Sequence, residues 1–320
     1  MRGDGDDEHV AKPSAATQVM LVALATGCDQ TINYPMWILA KRIGAGLGWP
    51  RVGDLYKGCA ALYLTYFPTV AVEDASTRVL TDSLTRLAPS LGDQGREVLA
   101  AACGGVAAGV LVANPTENIV VKAHARDTGV ADACRYIWQK GGLRGMLCPY
   151  GSTAMMLREA PFSAGLFYLR DRMATFFHGQ STNSALAGGS KSRTRWWAEE
   201  FAGSIACAAI VNVASHPASV VLAMQQAYDI TTREALRRLW SEGGLRSFYR
   251  GYLPRSATLG GTMFTVPTMM SLGASHLGRW EHLPFASAAH DQIAEPFGTW
   301  VPGSHSGVLT FAHAAHVGWA

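Results

Sequence analysis

Six apolar blocks alternate with polar connections along the chain. They span about residues 15–39, 59–80, 97–121, 152–174, 201–224 and 252–272. Helices rise about 1.5 Å per residue, so each block is long enough to cross the roughly 30 Å hydrocarbon core of a bilayer. The pattern therefore predicts an all-α membrane protein with six spanning helices.

The polar connections after the third and fifth blocks each predict a short surface helix. The first places Ala133, Ile137 and Trp138 on one helical face, and the second reads E-A-L-R-R-L-W-S-E-G-G-L-R. Apolar residues three and four apart give a helix one apolar face, and the glycines that follow end it. Two spans and a short helix thus form one unit.

This unit occurs more than once. Shifting the sequence by 102 residues places Pro115 on Pro217, Trp138 on Trp240, and the run G-G-L-R at 141–144 on its copy at 243–246. One spacing shared by separate landmarks indicates an internal repeat. We expect an acidic N-terminal arm at 1–13, three tandem repeats at 14–85, 95–177 and 196–277, a polar linker at 178–195 and a C-terminal extension at 278–320.

Composition narrows the functional classes. Hydrophobic residues make up 48% of the chain, and the net charge of +3 is too small to indicate nucleic-acid binding. The six cysteines include no C-x-x-C pair, so neither a disulfide framework nor a metal site is expected. Because no phosphate-binding loop, metalloprotease motif or nucleophile elbow occurs, we expect neither an enzyme nor a cofactor.

A proline lies late in each odd-numbered span, at Pro35, Pro115 and Pro217, where it removes a backbone hydrogen bond and is expected to kink the helix. With this plan, the runs L-R-E-A-P-F-S-A-G-L-F, E-G-G-L-R-S-F-Y-R-G and Y-F-P-T resemble the mitochondrial carrier family over about residues 14–277. The resemblance implies six helices around a water-filled cavity with three-fold pseudosymmetry. It also implies termini towards the intermembrane space and short helices on the matrix side.

Carriers of this family close the cavity on the matrix side with an acid and a base after each of these prolines, in the pattern P-x-[DE]-x-x-[KR]. The corresponding pairs of positions here hold Trp37 and Ala40, Glu117 and Val120, and Ser219 and Leu222. Only Glu117 is charged, although Lys122 lies two residues past Val120. The resemblance thus implies gate remnants without a complete acid–base pair.

The opposite gate of the family lies at the ends of the even-numbered helices. The resemblance places Arg78 there in the second span and Asp171 in the fourth, while Met270 stands where the sixth would have an acid. Arg78 and Asp171 are therefore expected to be remnants of this second gate.

Substrate contacts in the family lie about seven residues after the glycine that opens each even-numbered helix. This carries over to Thr65, to Arg158 with Glu159, and to Thr258. An arginine can grip a carboxylate through two hydrogen bonds while a glutamate takes an amine, so the Arg158–Glu159 pair resembles those of amino-acid carriers. Alternatively, these two charges only neutralise each other inside a sealed bundle.

The glycine turns after the short helices resemble the cardiolipin sites of the family. Backbone N–H groups near a glycine turn can hold a phosphate when an arginine is close by. The candidate lipid-binding residues are Gly142, Arg144, Gly145, Gly244 and Arg246.

Two functional hypotheses follow. The lost gate charges and the C-terminal extension favour a transport-incompetent accessory subunit of a respiratory-chain complex. The Arg158–Glu159 pair favours an active antiporter of a small carboxylate or amino acid. In both cases we expect a multi-pass protein of the inner mitochondrial membrane whose partners are lipids such as cardiolipin, with further subunits in the first case and no nucleic acid.

Overall fold

The computed structural model describes the backbone of residues 15–147, 150–185 and 193–280, and within these residues the chain is all-α. In chain order the helices are α1 (Ala15–Gly44), α2 (Cys59–Leu87), α3 (Asp93–Ala108), α4 (Asn114–Ala125), α5 (Val130–Leu147), α6 (Ser152–Ala185), α7 (Arg193–Tyr228), α8 (Thr232–Gly243) and α9 (Tyr252–Trp280). A π-helical turn at Gly109–Ala113 joins α3 to α4. Short 3-10 turns at Val52–Asp54 and Gly244–Tyr249 complete the connections. The predicted surface helices correspond to α5 and α8.

The long helices contact one another in a closed circuit. Helix α1 packs on α2, α2 on α3, α3 on α6, α6 on α7, α7 on α9, and α9 returns to α1. The continuous α3–α4 element counts as one member of this circuit. Each long helix therefore packs against one helix on either side and presents a further face to the middle of the ring.

Polarity in this ring is the reverse of that in a protein folded in water. Ionisable side chains are buried, among them Asp29, Lys41, Glu117 and Arg158. Large apolar side chains are exposed on all the long helices, including Leu24, Ile32, Leu64, Val79, Leu111, Leu157, Ile210 and Leu253. An apolar exterior around polar interior groups suits a bundle surrounded by lipid.

Hydropathy alone identifies fewer spans than the six apolar blocks predict. Within the described residues, Asp93–Ala125 and Trp197–Tyr228 are long and apolar enough to cross a membrane, each with a mean hydropathy of 1.7. The helices α1, α2, α6 and α9 carry more polar and charged side chains, which lower their averages. Buried helices of water-soluble proteins also pass this test, so the exposed apolar exterior is the stronger argument for a membrane.

Helices α1, α4 and α7 converge at their C-terminal ends. Ala45, Val121, Ala223 and Ala227 form one buried cluster at this point. Such small side chains let helix backbones approach closely. The cluster closes one end of the ring.

A loop glycine before α2, α6 and α9 packs against a residue of an odd-numbered span. Gly58 lies against Val120, Gly151 against Leu222 and Gly251 against Ala40. These three partners occupy the positions at which the carrier pattern has a base. The side chains of Val120 and Leu222 and the backbone of Ala40 therefore lie against the loops that open the next helices.

Two boundaries differ from the sequence prediction. Helices extend into both ends of the polar linker expected at 178–195, because α6 continues to Ala185 and α7 begins at Arg193. Backbone hydrogen bonds hold a helix whatever the polarity of its exposed side chains, so loss of hydrophobicity does not mark a helix end. The predicted N-terminal arm at 1–13 and the part of the C-terminal extension after Trp280 lie outside the described residues.

Candidate functional site

Four charged side chains form one continuous hydrogen-bonded network inside the ring. Lys41 Nζ on α1 donates to Glu117 Oε2 on α4 at 2.6 Å, and Arg158 Nη1 on α6 donates to the same oxygen at 2.8 Å. Arg158 Nε donates to Glu159 Oε1 at 2.7 Å, and Nη2 reaches the same oxygen. The network therefore ties α1, α4 and α6 together.

The network is almost completely shielded from solvent. The side chains of Lys41, Glu117 and Arg158 are 3%, 8% and 4% exposed. Removing one partner of a buried ion pair leaves an uncompensated charge and typically costs about 3–5 kcal/mol. Separation of α1 from α4 must break the bond from Lys41, so these charges can act as a gate at the closed end.

This end of the ring holds an acid–base pair that does not lie at the positions of the carrier pattern. Lys41 supplies the base, and it lies one residue after Ala40, the position that the carrier pattern assigns. Ala40 packs against the Gly251 loop. Because each residue advances about 100° around a helix, the next side chain points in a different direction and reaches Glu117.

Lys122, the other predicted gate base, bonds elsewhere. Its Nζ donates to Asp229 Oδ1 at 2.6 Å, in the turn between α7 and α8. Asp229 Oδ2 accepts from Lys140 Nζ at 2.9 Å and from the Tyr136 hydroxyl at 3.2 Å, both on α5. This second cluster fixes α4 and α5 to the end of α7.

In this cluster the charged forms of Asp229 and Lys140 are favoured. Burial alone would raise the pKa of the Asp229 carboxyl, but hydrogen bonds from Lys122 and Lys140, together with their charges, hold it below its usual value. In turn, the hydrogen bond to Asp229 raises the pKa of the Lys140 ammonium group. The ion pair between Asp229 and Lys140 is therefore intact at neutral pH.

Arg255 on α9 is a further cation beside the gate network. It is 7% exposed and interacts electrostatically with Arg158, Glu117 and Glu159. Its Nε is buried without an acceptor, and the described part of the chain shows no ion pair or hydrogen bond of its guanidinium group. The carrier spacing does not identify this residue, because it points to Thr258, three positions later.

The two predicted threonine contacts bond within their own helices. Thr65 Oγ1 is 3.1 Å from the Ala61 carbonyl and 3.0 Å from the Leu62 carbonyl, and Thr258 Oγ1 donates to the Pro254 carbonyl at 2.9 Å. The hydroxyl protons are therefore engaged with the backbone. Their oxygens can still accept a hydrogen bond.

Farther from the closed end, the interior holds a buried carboxylate. Asp29 is 1% exposed and accepts from Asn33 Nδ2 at 2.6 Å and from Thr262 Oγ1 at 3.1 Å. Arg170 on α6 joins this helix to α7 and α9. Its Nη2 donates to Glu200 on α7 at 2.6 Å, and its Nε donates to the Met263 carbonyl on α9 at 3.1 Å. The carboxylates of Asp29 and Glu200 thus lie on long helices of the ring.

The predicted remnants of the second gate are placed only in part. Arg78 is half-buried on α2. Asp171 lies on α6, but its side chain is outside the described part of the structure. No acid–base pair between these two residues is therefore assigned.

The three predicted kink prolines lie within the long elements. Pro35 is inside α1 and Pro217 inside α7. Pro115 is in the first turn of α4, directly after the π-helical turn, where its missing N–H leaves fewer backbone groups unpaired. Their role as kinks stays a prediction.

The candidate lipid-binding turns share one backbone conformation. Gly142 has φ 54° and ψ −147°, and Gly244, which is 102 residues later, has φ 57° and ψ −140°. Positive φ of this kind favours glycine. Arg144 and Arg246 are exposed beside these turns, and Gly145 is half-buried. Their binding of lipid stays a prediction.

Comparison with known proteins bears on the third predicted repeat. Residues 192–270 match the family model described as mitochondrial carrier protein, a stretch that includes α7, α8 and the first two thirds of α9. No curated protein matches the chain. Members of the matched family are transporters rather than enzymes, and the family implies several spans in the inner mitochondrial membrane. Over these residues the chain is similar to the mitochondrial carrier family.

Proposed function

We propose that the chain is a working, divergent carrier that exchanges a small carboxylate or amino acid across the inner mitochondrial membrane. The observation that carries this proposal is the buried network of Lys41, Glu117 and Arg158, which joins three helices beside the closed end. Ionisable groups within membrane spans are costly to desolvate, and they usually mark transport pathways. A bundle with only a structural role could replace all of these groups by apolar side chains of similar volume at little cost in stability.

The proposed mechanism uses the two hydrogen bonds that Glu117 accepts. Its Oε2 accepts from both Lys41 and Arg158. When α1 moves away from α4, Lys41 leaves while Arg158 continues to neutralise the carboxylate. The barrier to opening is then the separation of one ion pair rather than the exposure of an unpaired acid.

The architecture that we propose for this mechanism is three carrier repeats around a central path. The closed end formed by α1, α4 and α7 faces the matrix, and both termini face the intermembrane space. The equal backbone conformation of Gly142 and Gly244 supports this repeat for the second and third units. Cardiolipin bound at these turns is part of the same proposal.

Exchange in liposomes tests the transport proposal. Purified protein is reconstituted, and uptake of labelled pyruvate, malate, glutamate, alanine and ATP is measured with unlabelled counter-substrate inside. We expect saturable exchange of at least one small carboxylate or amino acid, abolished by Arg158→Ala and retained by Arg238→Ala, whose exposed side chain pairs with Glu234 on α8. Lack of uptake across the whole panel would count decisively against a carrier.

A second candidate function is an accessory subunit of a respiratory-chain complex. It is favoured by the uncharged residues Trp37 and Ser219, which occupy two of the three positions at which the carrier pattern has an acid. Native electrophoresis of mitochondria, with detection of the tagged protein, tests this alternative. Migration with an oxidative-phosphorylation complex and no exchange activity favours the accessory role, whereas migration as a small free species contradicts it.

A further inference from the structure

Asp29 is a buried carboxylate that no cation compensates. It lies on α1, is 1% exposed, and forms no ion pair within the part of the chain that the structure describes. By contrast, the carboxylates of Glu117, Glu159 and Glu200 inside the ring each accept a hydrogen bond from an arginine. An isolated carboxylate inside a lipid-surrounded bundle is costly to keep ionised, so it takes up a proton or another cation.

The two hydrogen-bond partners of Asp29 are neutral. Asn33 Nδ2, one turn later on α1, donates to Oδ1 at 2.6 Å, and Thr262 Oγ1 on α9 donates to Oδ2 at 3.1 Å. The missing side chain of Gly261 makes room for the Asn33 amide, since an added Cβ would lie 2.1 Å from its Oδ1. A hydroxyl group can donate or accept a hydrogen bond. Thr262 can therefore also accept from Asp29 when the carboxyl group carries a proton.

The titratable groups that face Asp29 from α2 and α6 add no positive charge. Tyr66 on α2 interacts electrostatically with Asp29, with Glu73 on the same helix and with Glu159 on α6. Glu159 in turn accepts from Arg158 in the gate network. The surroundings of Asp29 are thus a phenol and further carboxylates, and through Tyr66 they extend to the gate network.

The cations of the other neighbouring helices lie farther away in the described residues. On α9, Arg255 precedes Thr262 by seven residues, or about 10 Å along the helix axis. On α1, the next basic residue after Asp29 is Lys41, twelve residues later, or about 18 Å. Helix α7 packs on α1 near Gly44, at the closed end. None of these groups is close enough to form an ion pair with Asp29.

We propose that Asp29 binds a proton and that the carrier moves this proton in the same direction as its substrate. The inference rests on the proposed transport function and adds a coupling ion to it. The proton passes from hydronium on one side of the membrane to a carboxyl oxygen of Asp29, and from there to water on the other side; no bond other than O–H forms or breaks. A metal ion fits less well, because it needs oxygen ligands, whereas Asn33 and Thr262 present hydrogen atoms to the carboxylate.

Infrared spectroscopy of the purified protein in detergent tests the proton site without requiring transport. A protonated carboxyl group has a carbonyl band that is distinct from the bands of a carboxylate and of the backbone amides. Titration should remove one such band from the wild type in alkaline buffer and restore it in acid, and Asp29→Asn should lack this band. Matching spectra of the two proteins at every pH overturn the site, and so does a band that alkaline buffer never removes.

Liposomes that contain a pH-sensitive dye test the coupling. The dye reports the internal pH while an inward gradient of pyruvate, malate, glutamate, alanine or ATP is imposed in turn, with protein-free liposomes as the baseline. We expect at least one compound to carry protons inward, and an inward proton gradient to raise its initial uptake rate severalfold. A sodium gradient at constant pH should have no effect. Stimulation by sodium instead of protons overturns the assigned ion.

Variants assign the coupling to Asp29. The ratio of uptake rates with and without the proton gradient should fall to near unity in Asp29→Asn and stay elevated in Asp29→Glu, which keeps an ionisable group. The matched control Asp132→Asn removes an exposed carboxylate that pairs with Arg135 on α5, and it should keep the wild-type ratio. A wild-type ratio in Asp29→Asn overturns the inference. If Asp29→Asn is inactive, a ratio near unity in Asp29→Glu overturns it.

Failure of this inference differs from failure of the transport proposal. A titrating infrared band that depends on Asp29, without uptake of any of the five compounds, supports the proton site and contradicts transport. Uptake that the proton gradient does not stimulate supports transport and overturns the coupling.

Discussion

Lys41 and Glu117 lie 76 positions apart in the sequence and form an ion pair of 2.6 Å between α1 and α4. This pair spans the point where the ring of helices is closed, and Arg158 extends it to α6. Glu117 is therefore the shared acceptor of both cations in the candidate gate.

Glu117→Gln should destabilise the protein strongly, because it leaves two buried cations without their shared carboxylate. We expect a loss of about 3–5 kcal/mol in the free energy of unfolding, measured by denaturation in detergent. The matched control Glu242→Gln removes a carboxylate that is 44% exposed and pairs with Arg250, so its cost should be about 1 kcal/mol or less. Equal effects of the two changes would contradict a buried shared acceptor at Glu117.

Gly251→Ala should be disruptive where α9 begins. Gly251 has φ +76°, and an added Cβ would lie 3.0 Å from the Ala40 carbonyl oxygen. Strain of this kind costs on the order of 1–3 kcal/mol. It should lower the Tm, and it should also slow exchange because Ala40 precedes Lys41. Gly53→Ala, where the added Cβ would meet nothing within 4 Å, is the control and should leave both quantities unchanged.

Asp229→Asn should reduce stability in a pH-dependent manner. The pKa of Asp229 is lowered in the folded state, so its stabilising effect is present above its unfolded pKa of about 4 and is lost as the pH falls through the lower folded value. Thermal unfolding should therefore show the largest difference between wild type and variant near neutral pH. A difference that persists unchanged well below pH 4, on the order of pH 2, would show that the carboxylate charge is not the cause.

Arg170→Gln should loosen the part of the ring away from the closed end. The change removes the bond to Glu200 on α7 and weakens the bond to the Met263 carbonyl on α9, so α6 loses ties to both of these helices. Protease sensitivity of the reconstituted protein should increase at the ends of α6 and α7. Arg238→Gln, on the exposed face of α8, is the control and should show the wild-type digestion pattern.

The sequence could predict the elements but not the partners of the charged residues. The length of an apolar block depends only on neighbouring residues, so the six blocks identified the helices that form the ring. The periodicity of apolar residues in the short connections identified α5 and α8. The π-helical turn before Pro115 was missed because Gly109 packs against Glu159, which is a contact between distant segments.

The same limit applies to the candidate site. Whether residue 40 or residue 41 faces Glu117 depends on which of them packs against the Gly251 loop, and spacing alone cannot decide this. Arg255 was missed because the lack of a partner is a property of all its neighbours together. The sequence did direct attention to Glu117, Arg158 and Glu159, since they are the charged residues of the best-preserved repeat.

Counter-exchange of the compound that the uptake panel identifies tests the central claim of a working, gated carrier most directly. Liposomes loaded with this labelled compound are diluted into medium with or without the same compound unlabelled, and efflux is followed over time. We expect the external compound to accelerate efflux through the wild-type protein and through Arg238→Ala, and to have no effect with Arg158→Ala. Efflux from wild-type liposomes that the external compound does not change, or that Arg158→Ala supports at the same rate, would contradict the account.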